Sequence, residues 1–279
     1  MHPFISISSF KFPTYSLLMM AAFGVAFGIT ALICNPKLER SRVIDRADTL
    51  LTCAIILVGA MIGAAALRPV MKIPEVIIRW DYFGKLPIGE VFGYVFGEIV
   101  FYGGLIGGAA AALIFCRFYK IPMLPTLDAI APAVPLGHAF GRMGCLMAGC
   151  CYGMEVSADN PFAVIYPPES LLAPPGIPLL ASQAIEAGFL SIISVIVVIV
   201  YVTTHTKGLC LALYPALYSI LRFSLEYFRG DPIRGVYGPF STSQYISIGI
   251  FIISMTLMCV VLIRSNKERR NLDISSEIK

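Results

Sequence analysis

The chain has 279 residues, 57% of them hydrophobic and 14% charged, with a mean hydropathy of +0.80. Soluble domains carry about 25% charged residues, so the composition excludes a water-soluble globular protein and points to an integral membrane protein. The formal net charge of +4 gathers in basic loops and a basic tail; it reads as an orientation signal, with no nucleic-acid partner.

Apolar runs of about 20 residues recur, so the spans are helices and not barrel strands. Residues 1–13 form a short polar and aromatic lead. The first span is predicted over 14–34 and reads as a retained helix, since no clear small-x-small cleavage site follows it. The loop 35–48 carries Lys37, Arg40, Arg42 and Arg46 and is assigned to the cytoplasm. The second span covers 49–67, with Gly59 and Gly63 spaced for close helix approach. Residues 68–97 read as a longer interfacial loop containing Trp80, Tyr82 and Tyr94.

The third span, 98–116, contains the glycine-rich run Tyr102-Gly-Gly-Leu-Ile-Gly-Gly108, followed by Arg117 and Lys120. That run reads first as close helix packing and second as backbone set against a lipid headgroup. The fourth span, 124–149, is made irregular by Pro132, Pro135, Gly137 and Gly141, which a membrane tolerates only where protein or water covers the loosened backbone. Residues 150–182 hold no Lys or Arg, as expected of an outside loop. Spans over 183–202, 208–228 and 243–263 follow, and the tail 264–279 carries Arg264, Lys267, Arg269 and Arg270. The expectation is an all-α polytopic membrane protein of seven transmembrane helices, a single integral membrane domain over 1–279. Its N-terminus lies outside and its C-terminus in the cytoplasm. Arg229 and Arg234 then fall outside, against the positive-inside rule.

Charged side chains inside such runs cost roughly 2.5–3.5 kcal/mol each on insertion scales, so they normally have a partner or a task. The alternating direction of the spans puts Tyr102, Arg142, Cys145, Gln183, Glu186, Arg222 and Glu226 in one outer layer. Asp128 falls near the inner end of its span. Tyr218, Arg222 and Glu226 are four residues apart and share a helix face, with Arg229 close by. One Arg–Glu pair alone reads equally as helix glue. With Arg142, Glu186 and Gln183 in the same layer, the reading shifts to a binding site with excess positive charge. Guanidinium groups donate bidentate bonds to phosphate and do not deprotonate, and phosphate in an outer leaflet belongs to lipid headgroups.

Of the eight cysteines, Cys34, Cys53, Cys116, Cys210 and Cys259 lie singly in apolar segments and read as small hydrophobes. Cys145, Cys150 and Cys151 cluster. Their spacing is no usual zinc pattern and His138 is the one nitrogen ligand nearby, so no metal and no cofactor is assigned. The cluster reads as polarizable packing or as a disulfide.

Together these motifs resemble the bacterial prolipoprotein diacylglyceryl transferases over most of the chain. The likeness rests on the glycine run from Tyr102, on Asp128–Leu136, Gly141-Arg-Met-Gly144 and Tyr152-Gly153. It continues through Ser182-Gln183 with Glu186 and Tyr218-x3-Arg222-Phe-x2-Glu226-Tyr-Phe-Arg229. The resemblance implies an inner-membrane enzyme open to the outer leaflet and the periplasm. Such an enzyme moves the diacylglyceryl group of phosphatidylglycerol to the lipobox cysteine thiol of a prolipoprotein signal peptide. It implies that Arg142, Arg222 and Arg229 hold the phosphodiester, that Glu226 orients Arg222, and that Tyr218 donates to the headgroup. Gln183, Glu186, Gly103, Gly104 and Cys145 would line the substrate, and Gly153 would bring a backbone N–H to the lipid. Three positions depart from the family pattern, one of them Cys150, where an acidic residue is usual near the motif's end. Tyr102 stands where a histidine, the family's proposed base, is usual, and Cys145 stands where an asparagine is usual. His138, one turn before Arg142, reads either as a replacement base or as a packed residue bonded to backbone. The other functions left open are a membrane thiol oxidoreductase using the three cysteines and a headgroup transferase with another acceptor.

Overall fold

The computed structural model describes residues 4–7, 10–34, 45–97, 100–170, 172–204, 206–230 and 235–277. Most of the expected cytoplasmic loop 35–48, the start of the third span and Arg234 lie outside the described residues. The chain divides into two compact units, residues 1–42 with 127–279 and residues 43–126.

The first unit begins with an antiparallel hairpin, β1 (Phe4–Ile7) and β2 (Phe10–Pro13), within the polar and aromatic lead. α1 (Thr14–Ile33) follows. The second unit opens with α2 (Arg46–Ile78), started by Asp45, whose carboxylate accepts from Ala47 N–H at 2.7 Å. Short helices α3 (Trp80–Phe83) and α4 (Ile88–Phe96) and then α5 (Phe101–Phe118) complete it. The expected loop 68–97 is therefore mostly helical. α2 runs 11 residues past the expected end at 67, with its charges paired along one side. Lys72 Nζ meets Glu75 at 2.8 Å and Arg79 meets the same carboxylate at 3.7 Å, spacings of three and four residues that support a helix.

α2 and α5 pack on glycines. A methyl group on Gly63 would strike Gly103 O and the Gly107 Cα, and one on Gly59 would strike Ala111 Cβ and Gly107 O. Removing the side chains lets the two backbones touch, which is how apolar helices associate without a hydrophobic drive.

In the first unit, α6 (Met123–Ile130, reaching back across the boundary) and α7 (Ala133–Ala148) replace the single irregular fourth span. The break falls at Ala131–Pro132, and Ser194 Oγ donates to the Pro132 carbonyl at 3.0 Å. α7 ends at Gly149, whose φ of +73° is the left-handed cap that L side chains resist. The connection that follows carries the antiparallel pair β3 (Ala163–Ile165) and β4 (Pro178–Leu180) over a small core of Leu146, Tyr152, Tyr166 and Leu179. α8 (Ser182–Thr203), α9 (Leu209–Leu225) with a 3-10 turn over Glu226–Phe228, the hairpin β5 (Val236–Tyr237) and β6 (Phe240–Ser241), and α10 (Thr242–Glu277) complete the chain. α1 packs on α7, α7 on α8, α8 on α9 and α9 on α10. The tail beyond 263 continues α10 as helix.

Five of the described helices, α1, α2, α8, α9 and α10, are long and apolar enough to cross a membrane. The most apolar windows of α1, α2 and α10 are each only 17% buried. Helices this hydrophobic with this much exposed surface need lipid as their solvent.

Candidate active site

α7, α8 and α9 bring their polar faces together. On α7, His138, Arg142 and Cys145 recur at i, i+4 and i+7. On α9, Tyr214, Tyr218 and Arg222 recur every four residues, and Gln183 and Glu186 occupy the first turn or so of α8. Each set lies along one face of its helix.

The sets close on one another through a triangle. Arg142 Nη2 pairs with Glu186 Oε1 at 3.1 Å and donates to the Tyr218 hydroxyl at 3.2 Å. Tyr218 in turn donates to the same Glu186 oxygen at 3.0 Å. Behind it the Tyr214 hydroxyl meets His138 Nδ1 at 3.1 Å, and the His138 ring stands edge-on to Tyr218 at 4.8 Å. Arg222 uses Nη2 for Glu226, 2.8 Å away, and for Ser243 Oγ on α10 at 3.0 Å. His138 and Tyr218 both lie within electrostatic reach of the Arg142 and Arg222 guanidinium groups.

The four charged side chains are 15% (Arg142), 6% (Glu186), 12% (Arg222) and 3% (Glu226) exposed. Pairing offsets their desolvation, yet it does not use every donor. Among the described residues, Arg142 Nε and Arg222 Nη1 are buried with no hydrogen-bond partner. Buried N–H groups left without an acceptor cost about 1–3 kcal/mol each, more when charged.

A second constellation adjoins the first at the end of α7. The Sγ atoms of Cys145, Cys150 and Cys151 lie within 4.8 Å of one another. Ser182 Oγ donates to Cys151 O at 3.0 Å and Gln183 Nε2 to Cys150 O at 2.6 Å, which fastens this corner to α8. Gln183 Nε2 also reaches the Tyr166 hydroxyl at 3.2 Å. Burial pushes the Tyr166 phenol up to about 12, so it stays neutral near neutral pH while its oxygen accepts from Gln183. Residues 152–154 pair with 228–230 through Met154 N to Phe228 O at 2.8 Å and Gly230 N to Tyr152 O at 3.2 Å. That pairing brings Arg229 within electrostatic reach of Cys151.

Several sequence expectations change in detail. Gly153 offers no N–H to a ligand: it donates to Leu180 O at 2.9 Å, and its bare Cα is required because a methyl there would meet Leu180 and the Phe228 carbonyl. Tyr218 directs its proton to Glu186, not outward. His138 bonds to a side chain, not to backbone. Gln183 grips the loop after α7 through its amide nitrogen. Asp128 is fully buried and accepts from Leu211 N at 3.0 Å, capping the first turn of α9. Tyr102 is half exposed on α5, while Gly103 and Gly104 lie against α2. Sequence reasoning missed Tyr214 and Ser243. Tyr214 carried a signal, one turn before Tyr218 on the same face, whereas Ser243 carried none.

The fold and site together define a helical multi-pass membrane protein with a buried, arginine-centred polar site. A family profile described as prolipoprotein diacylglyceryl transferase matches residues 3–260. Similar proteins include phosphatidylglycerol–prolipoprotein diacylglyceryl transferase 2 of Clostridium perfringens, 33% identical over 90% of this chain and 94% of that protein. The transferase of the same description from Clostridium tetani is 31% identical over 83% of this chain and 90% of its own length. That of Dehalococcoides mccartyi (strain ATCC BAA-2100 / JCM 16839 / KCTC 5957 / BAV1) is 31% identical over 80% of both. The chain belongs to the prolipoprotein diacylglyceryl transferase family.

Proposed function

We propose that this chain transfers the diacylglyceryl group of phosphatidylglycerol to the lipobox cysteine thiol of a prolipoprotein signal peptide, within the bacterial cytoplasmic membrane. The reaction forms a thioether and releases glycerol phosphate. The observation that carries the reading is the pair of buried donors without acceptors, Arg142 Nε and Arg222 Nη1, on neighbouring helices. A phosphodiester supplies two non-bridging oxygens and the negative charge that two guanidinium groups complement.

In this reading Glu186 and Glu226 hold the two arginines in place, and Tyr218 locks Arg142 against Glu186. When the glycerol carbon–oxygen bond breaks, charge grows on the departing phosphate. Preorganised guanidinium groups in a water-poor site stabilise that charge more than they stabilise the resting lipid. Arg229, beside the cysteine corner, contributes to the same positive field. Seven spans follow if α5 and the α6–α7 pair cross the membrane along with the five long helices. The basic tail then faces the cytoplasm, and the site opens toward the outer leaflet and periplasm.

The test uses membranes depleted of their resident transferase, supplied with the full chain, phosphatidylglycerol and a lipobox peptide. The expected product is a thioether-linked diacylglyceryl peptide, reduced about 10²–10³-fold by Arg142→Ala or Arg222→Ala, the range seen when one transition-state donor is removed. A well-expressed wild-type chain that makes no thioether removes the reading.

A further inference from the structure

We infer that Cys145, Cys150 and Cys151 form a three-thiolate zinc site whose fourth position takes the acceptor thiol of the substrate. The identity of that thiol rests on the transferase reading; the metal site rests on the cysteine geometry.

The three sulfurs converge although the sequence spacing gives no such indication. Cys145 sits in the last turn of α7, and the left-handed residue Gly149 turns the chain back so that Cys150 and Cys151 face it. Cys151 itself holds a φ of +60°, an unusual conformation for a residue with a Cβ. Sulfurs sharing a tetrahedral zinc at about 2.3 Å stand about 3.8 Å apart. The sulfurs here lie within 4.8 Å of one another, close to that spacing. All three are free thiols and only half buried, which leaves an approach for a fourth ligand. The backbone is fixed by Ser182 and Gln183, the kind of outer support that orients ligating side chains. Gln183 is fully buried and its Oε1 has no hydrogen-bond partner among the described residues, an unmet acceptor beside the cluster. Three thiolates around Zn²⁺ leave a net charge of −1, and Arg142 and Arg229 stand within electrostatic reach of Cys151 to offset it.

The chemistry fits a need that the arginine site leaves open. A thiol must lose its proton before it attacks carbon. Three protein ligands with an open fourth position are the arrangement of catalytic rather than structural zinc, and a thiol that coordinates zinc is deprotonated outright. Binding of the acceptor releases one proton to water. The zinc-bound sulfur then forms the S–C bond at the glycerol carbon, the C–O bond breaks, and its electron pair leaves on the phosphate held by Arg142 and Arg222. No atom changes oxidation state, and zinc keeps its charge throughout.

Zinc content and zinc-edge X-ray absorption of the purified full chain test this directly. The expected result is one zinc per chain with three sulfur neighbours, rising to four with a lipobox peptide and staying at three with the Cys→Ser peptide. The triple variant Cys145→Ser, Cys150→Ser, Cys151→Ser should lose the zinc, and chelation of the wild type should lower transfer at least 10-fold, reversed by added zinc. Wild-type spectra need no variant to fold. Absence of zinc, equal zinc in the triple variant, or a Cys145–Cys150 disulfide as the working form overturns the inference. Transfer that persists unchanged in the triple variant overturns it while leaving the transferase reading intact. Zinc that takes the peptide sulfur without any lipid transfer upholds the metal site and removes the transferase reading.

Discussion

Arg142 spends a single nitrogen, Nη2, on both Glu186 and Tyr218, and its Nε is buried without a partner among the described residues. Arg142→Lys keeps the charge but loses the planar fork, so transfer should fall about 10²-fold in the peptide assay while expression holds. Tyr218→Phe removes one bond to a carboxylate and one from a guanidinium. Hydrogen bonds to charged groups are worth about 1.5–3 kcal/mol, so a thermal melt in detergent should show a clear loss of stability. The sequence disclosed Arg142, Glu186, Arg222 and Glu226 because charge inside an apolar run is expensive and conspicuous. Tyr214 stayed hidden because a tyrosine in a membrane helix is unremarkable until its hydroxyl is seen on His138. The N–H of Gly153 was assigned to a ligand because sequence does not show which strand lies opposite; here Leu180 takes it.

At the level of elements, proline and glycine do different work in the two units. Pro132 splits the fourth apolar run into α6 and α7, whereas Pro69 and Pro74 sit inside α2 without ending it. Hydropathy placed the end of the second span at 67, and it failed there because Lys72 and Arg79 pair with Glu75 on one side of a continuing helix. The glycine stripe was legible as packing, and the structure gives it a partner: Gly59 and Gly63 against Gly103 and Gly107. Gly63→Val should therefore cost about 1–3 kcal/mol through overpacking, read as a lower melting temperature of the full chain. Gly149→Ala forces an L residue into the left-handed region, at roughly 1–2 kcal/mol, and sets its methyl against Ser170 and Tyr166. Its zinc content should fall with it, since Gly149 aims Cys150 and Cys151 at Cys145.

Over the whole molecule, the positive-inside pattern and the exposed apolar surface argue for one orientation in a bilayer. Orientation is tested with a cysteine introduced at the exposed Asp159. Asp159→Cys should react with a membrane-impermeant maleimide in intact cells, and Lys267→Cys should react only after the cells are opened. The central claim is that Arg142 and Arg222 grip one lipid phosphate between them. Solid-state NMR on chain carrying ¹⁵N-labelled arginine, with ³¹P of bound phosphatidylglycerol as the partner nucleus, measures this contact itself. The account predicts strong phosphorus–nitrogen couplings that vanish one at a time in Arg142→Ala and Arg222→Ala. Couplings that survive both substitutions, with the phosphate held by other arginines, contradict it.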